Sequence, residues 1–140
     1  MGYVAGVFDL FHVGHLNLLR RAKEQCGYLI VGVVSDEQVM KEKKTMPVIS
    51  FEERLEIVRA CRYVDEAVEI PIGRPSTKDA YRMYRFDAQF SGSDYENDPS
   101  WLSQRTYLRQ HGSDLVFFPY TSSVSSTDLK HQLKREGKPE

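Results

Sequence analysis

The chain has 140 residues, 41% of them hydrophobic and 28% charged, with a formal net charge of −1. That length and composition suit one globular domain with a single core and exclude a disordered or fibrous chain. The near-zero charge excludes a general attraction to polyanions such as nucleic acid, so a nucleotide site has to be built locally from a few placed cations.

From the first residue onward, strand and helix patterns alternate. A short strand from Tyr3 to Gly6 runs into a Gly6-Val7-Phe8-Asp9 turn, and a helix follows from about His15 to Gln25, with Leu18, Leu19, Ala22 and Cys26 as its apolar stripe. Tyr28 to Val34 is a near-continuous apolar, β-branched run, the pattern of a strand covered on both faces in a parallel sheet. The next stretch holds a dense charge run, Lys41-Glu42-Lys43-Lys44, and reads as a loop. Ser50 with Glu53 three residues on is a capping-box signature, and Leu55, Val58, Cys61 and Val64 recur at helical spacing, which predicts a second helix over Phe51 to Arg62. Further strands are predicted at Glu66 to Ile70, Ala88 to Ser91 and Leu115 to Phe118, and a last helix from Ser126 to Gly137. The expected fold is therefore α/β: one domain over residues 1–140, a doubly wound parallel sheet with its ligands at the carboxyl ends of the strands.

The two cysteines, Cys26 and Cys61, lack metal-ligand spacing and read as buried thiols of a reducing compartment. No apolar run approaches about 18 residues, and the start of the chain lacks a basic segment followed by an apolar one. A cytoplasmic protein without a membrane span is the expectation.

The chemistry concentrates at His12-Val13-Gly14-His15, where the loop after the first strand becomes the first helix. Two imidazoles and the free N–H groups of a helix start form an anion site. Phosphoryl transfer needs mainly alignment and neutralisation of oxygen charge, which such donors supply. Gly14 has no Cβ and allows close approach of a phosphate to the backbone. Arg54 and Arg62 stand eight positions apart, about two helical turns, so on one helix they would share a side and could fork onto phosphate oxygens. The plainer reading makes them surface arginines, or pairs Arg62 with Asp65 at a dimer contact.

The sequence resembles the cytidylyltransferase family of nucleotidyltransferases, and within it the glycerol-3-phosphate enzymes. Four segments carry the resemblance in the family's order: Gly6 to His15, Glu53-Arg54, Arg62-Tyr63-Val64-Asp65-Glu66 and Ser125-Ser126-Thr127. It implies a Rossmann-like nucleotidyltransferase fold, a homodimer, and transfer of CMP from Mg²⁺·CTP to a small phosphorylated alcohol, glycerol 3-phosphate first, with release of pyrophosphate. His12 and His15 inherit the stabilisation of the transition state, and Gly6, Val7, Phe8 and Gly14 the loop beside the nucleotide. The family's phosphate-contacting lysine maps onto Lys44 by one alignment and onto Lys41 and Lys43 by another. Of these, Lys44 is assigned with Arg62 to the catalytic group, Lys43 to the nucleotide, and Lys41 with Arg54 and Lys78 to the acceptor. Asp94, in Ser91-Gly92-Ser93-Asp94-Tyr95, falls near the base and ribose, whereas Trp101 reads as packing. No carboxylate cluster resembles a protein metal site, so Mg²⁺ is expected to arrive on the triphosphate.

The last motif departs from the family. Where the glycerol-phosphate enzymes carry an arginine that meets the triphosphate, this chain has Tyr120, and a family glycine is Ser123. Thr121, Ser125, Ser126 and Thr127 remain as hydroxyl donors near the start of the last helix. Two other readings stay open: an adenylyltransferase of the same fold acting on a sugar phosphate or cofactor precursor, and a nucleotide-binding regulatory module without turnover.

Overall fold

The computed structural model describes residues 1–73, 76–92 and 97–118. Its elements run β1 (Gly2–Gly6), α1 (Val13–Glu24), β2 (Leu29–Val34), α2 (Asp36–Lys43), α3 (Phe51–Ala60), β3 (Glu66–Ile70), α4 (Thr77–Tyr84), β4 (Ala88–Gly92), α5 (Pro99–Gln110) and β5 (Asp114–Phe118). All four strand pairings are parallel, and the order across the sheet is β3-β2-β1-β4-β5. This is the expected Rossmann-like α/β architecture. The chain leaves β1 in one direction and returns to the other side with β4, so the switch point lies between the carboxyl ends of these two central strands.

Side-chain alternation along the strands divides the core in two. Val4, Leu29, Val31, Val33 and Phe90 pack with Leu19 and Ala22 of α1 and Val58 of α3. Their chain neighbours Tyr3 and Ile30, with Leu115, pack with Ala80 and Tyr81 of α4 and Leu108 of α5 on the opposite face. Trp101 joins that second cluster against Phe117, as packing.

Two local expectations are corrected. The lysine-rich stretch is not a loop: Lys41 and Lys43 lie in the last turn of α2, and Lys44 is its C-cap in the left-handed conformation at φ 59°. The overlooked signal is Ser35 with Gln38 three residues on, a helix-start pattern that the structure realises through a bond from the Gln38 N–H to Ser35 Oγ at 3.2 Å. Second, α3 ends at Ala60, because Cys61 turns extended at φ −69°, ψ 126°. Arg62 consequently lies beyond the helix, and the shared helix side expected for Arg54 and Arg62 does not exist. Within the chain, Asp65 pairs with Lys23 at 2.6 Å and accepts from the Leu29 N–H at 2.7 Å. The predicted last helix lies outside the described residues.

Candidate active site

The histidine motif is itself the cap of α1. His12 is the N-cap in extended geometry, and its Nδ1 accepts from the Gly14 N–H at 3.0 Å. In return, the His12 N–H donates to Nδ1 of His15, the third helical residue, at 3.2 Å. Two orphan amides are satisfied by a capping box made of imidazoles. A nitrogen that accepts from a backbone N–H carries no proton, so each neutral ring has its proton on Nε2. The rings stack at 4.1 Å between centroids, so two imidazoles whose Nε2–H groups take no part in the cap stand together at the positive end of a helix.

Burial keeps both rings neutral. It lowers the His12 pKa below the ordinary 6.5, and it holds His15 at about 4, helped by neighbouring His12 and opposed by the Asp9 carboxylate. Phe8 and Phe11 pack against His15, each with its ring centroid 5.4 Å from the imidazole.

The loop that delivers the motif is strained. Phe8 and Leu10 both sit at positive φ, 56° and 50°, a conformation that costs on the order of 1–3 kcal/mol per residue without glycine. The turn sends the Phe8 ring back over Gly6, where an added Cβ would meet Phe8 Cε2 at 2.9 Å. Gly6 is thus required by its own loop. Phe8 is 4% exposed in the core, so only its backbone can face a nucleotide. The carbonyl of Val7 is already an acceptor for Arg54.

Arg54 differs most from expectation. Its side chain is fully buried, with Nε donating to the Ile49 carbonyl at 3.0 Å, Nη1 to the Val7 and Val34 carbonyls at 2.6 and 2.9 Å, and Nη2 to Asp36 Oδ1 at 2.6 Å. An arginine so bound has no open fork for an acceptor phosphate. Asp9, 2% exposed, does matching work on the same segment: its carboxylate accepts from the Val48 and Ile49 N–H groups at 2.8 and 2.9 Å. Neither this carboxylate nor Asp36 was marked in the sequence as a site residue. The signal for Asp9 was its place inside the quoted Gly-Val-Phe-Asp turn.

Lys41, Lys43 and Lys44 are exposed at the end of α2, and Arg62 is exposed with its guanidinium 5.1 Å over the Tyr63 ring. Lys78 lies in the first turn of α4 with its ammonium 5.2 Å over Tyr107, a packing contact that leaves its assignment to an acceptor unsupported by geometry. Ser91 and Gly92 end β4 at the switch point. Asp94, Tyr120, Thr121, Ser125, Ser126 and Thr127 lie outside the described residues. Among the described residues no group of three His, Cys, Asp or Glu side chains is placed to hold a metal ion, and no helix is long and apolar enough to cross a membrane.

A family model described as Cytidylyltransferase-like matches residues 3–135. An FAD synthase from Thermococcus kodakarensis is 37% identical over 119 residues, which is 84% of this chain and 78% of that protein. An ethanolamine-phosphate cytidylyltransferase from Dictyostelium discoideum is 48% identical over 129 residues, 91% of this chain but only 34% of that protein. Glycerol-3-phosphate cytidylyltransferase from Bacillus subtilis is 32% identical over 129 residues, 91% of this chain and 92% of its own length. Among solved structures, a lipopolysaccharide core biosynthesis protein from Thermoplasma volcanium has a TM-score of 0.68 at 22% identity, covering 86% of this chain and 94% of the other, a likeness of fold. A family model over nearly the whole chain, and relatives of matching length above 30% identity, make this chain a member of the cytidylyltransferase-like family of nucleotidyltransferases.

Proposed function

We propose that the protein transfers CMP from CTP to a small phosphorylated alcohol, forming a CDP-alcohol and pyrophosphate. The observation that carries the reading is the imidazole capping box: both Nδ1 atoms are held by backbone amides, so two adjacent Nε2–H donors remain for oxygens of the α-phosphate. The attacking group is a phosphate oxygen of the acceptor, deprotonated at neutral pH, so no general base is required. As the bond to the α-phosphorus forms and the bond to pyrophosphate breaks, the donors stabilise charge on the phosphoryl oxygens. The exposed lysines at the end of α2 are the cations this reading offers to the departing β- and γ-phosphates, with Arg62 as a further one.

Mg²⁺ fits this reading as a passenger of the triphosphate, since Asp9 and Asp36 are both held by protein donors. When bound there it neutralises charge on the phosphate oxygens. The family resemblance adds a cytoplasmic homodimer to the proposal. The exposed apolar side chains of Met46 and Val48, before α3, and of Ile57, in its second half, support such an interface.

Glycerol 3-phosphate and phosphoethanolamine are the first acceptors, supported by the two cytidylyltransferase relatives. A second reading, adenylyl transfer from ATP to a flavin mononucleotide, is supported by the FAD synthase relative, which matches most of both chains. Pyrophosphate release decides between them, measured with CTP or ATP against glycerol 3-phosphate, phosphoethanolamine and flavin mononucleotide. CTP with one of the small phosphates is expected to be fastest. Faster turnover with ATP and the flavin would overturn the cytidylyl reading.

A further inference from the structure

We infer that Asp9 and Arg54 are positioning residues that clamp the strained histidine loop to the lysine-bearing segment, and so set the alignment of the imidazoles. The kinetic part of this inference rests on the function proposed above; the geometric part does not.

Asp9 lies between the two positive-φ residues Phe8 and Leu10, three residues ahead of His12. A backbone held in a sparsely populated conformation persists only where its surroundings over-determine it. Here the determinants are specific. Asp9 takes the N–H of Ile49, while Arg54 takes the carbonyl of the same residue, so one residue of the 45–50 connection is gripped from both sides. Through Nη1, Arg54 also holds the Val7 carbonyl, directly before the first strained residue. Its remaining bonds go to Val34, at the end of β2, and to Asp36, at the start of α2.

The four acceptors of Arg54 therefore belong to three separate stretches, at residue 7 after β1, at residues 34–36 after β2, and at residue 49 before α3. Asp36 and Ile49 bracket Lys41, Lys43 and Lys44. Tying both brackets to the β1–α1 loop fixes where the lysines stand relative to the imidazoles. An apolar side chain of similar volume would fill the space but bridge none of these groups, and a lysine has one point charge where the guanidinium has a planar fork.

The test uses the intact protein with Asp9→Asn, which keeps the shape but turns an amide toward a backbone donor, and with Arg54→Lys. Long-range ¹H–¹⁵N spectra of the imidazoles report the tautomers, and amide exchange reports Val48 and Ile49. In Asp9→Asn we expect the Val48 or the Ile49 amide, whichever meets the new NH2 group, to lose protection while β1 and β2 keep theirs, and the His12 and His15 signals to move from the Nε2–H pattern toward averaged values. Turnover should fall about 10²-fold, the effect of a small misplacement, with the KM for CTP changed less than about threefold. Arg54→Lys should show the same pattern; if its buried ammonium prevents folding, Asp9→Asn decides alone. Unchanged imidazole spectra in folded Asp9→Asn would overturn the clamp even if turnover fell. The spectra decide equally in a protein whose wild type transfers neither CMP nor AMP, a result that would count against the proposed function and not against the clamp.

Discussion

At the scale of single residues, the proposed mechanism gives His12 two separable duties, one for each ring nitrogen. Nδ1 closes the helix start, and Nε2–H is the donor left for chemistry. Asparagine caps helices well but does not reproduce the outward N–H at the imidazole's reach. His12→Asn should therefore unfold within about 0.5 kcal/mol of the wild type yet lose about 10²–10³-fold in kcat, whereas His12→Ala loses kcat and about 1 kcal/mol of stability as well. Paired urea titrations and pyrophosphate assays read both effects. Near-normal turnover in His12→Asn would remove this residue from the mechanism. The two arginines show the limit of sequence reasoning at this scale. Glu53-Arg54 was legible as a family motif, but side-chain charge says nothing of whether a guanidinium faces a ligand or four protein acceptors.

At the scale of elements, the strands were legible because a parallel sheet covered on both faces demands continuous β-branched runs, and Leu29–Val34 has one. Helix α2 was missed because its composition, Asp-Glu-Gln-Val-Met-Lys-Glu-Lys, has only Gln38 and Val39 buried and almost no apolar stripe. Its start depends on the buried Ser35 hydroxyl instead. Ser35→Ala should lower stability by about 0.5–2 kcal/mol, seen as a lower urea midpoint with an unchanged slope. At the other end, Lys44 occupies the left-handed region, so Lys44→Gly should raise stability by about 1 kcal/mol. A loss of stability in Lys44→Gly would show that the lysine side chain holds this cap. The boundary of α3 was misread for a related reason: Cys61 and Val64 continue the apolar spacing and pack against the first core cluster, yet they do so from a turn.

At the scale of the whole molecule, the site's electrostatics enter the stability of the fold. An unfolded His15 takes a proton near pH 6.5, whereas the folded ring does so only at about 4. Protons therefore favour the unfolded chain between those values. His15's contribution is fully present above about pH 6.5 and is lost as the pH falls toward 4, on the order of 2–3 kcal/mol before local relaxation. His12, also lowered, acts in the same direction. Urea unfolding measured from pH 7 to pH 4 should show this decline, and His15→Gln should flatten it. A wild-type profile as flat as that of the variant would show that the ring is not kept neutral by the fold.

Among the histidines of the described residues, hydrogen bonding also decides which ring nitrogen is left as a nucleophile. In His12 and His15 the only unprotonated nitrogen is Nδ1, and a backbone amide occupies its lone pair. His111 is the reverse case: its Nδ1 lies 2.8 Å from the Tyr107 carbonyl, which can only accept, so the lone pair is on Nε2 of an exposed ring. An acylating reagent such as diethyl pyrocarbonate thus meets a reactive imidazole at the end of α5 and two inert ones at the motif. The pair proposed to handle phosphate is, by the same geometry, poor at attacking carbon, poor at binding a soft metal, and slow to form a phosphoramidate with a bound phosphate.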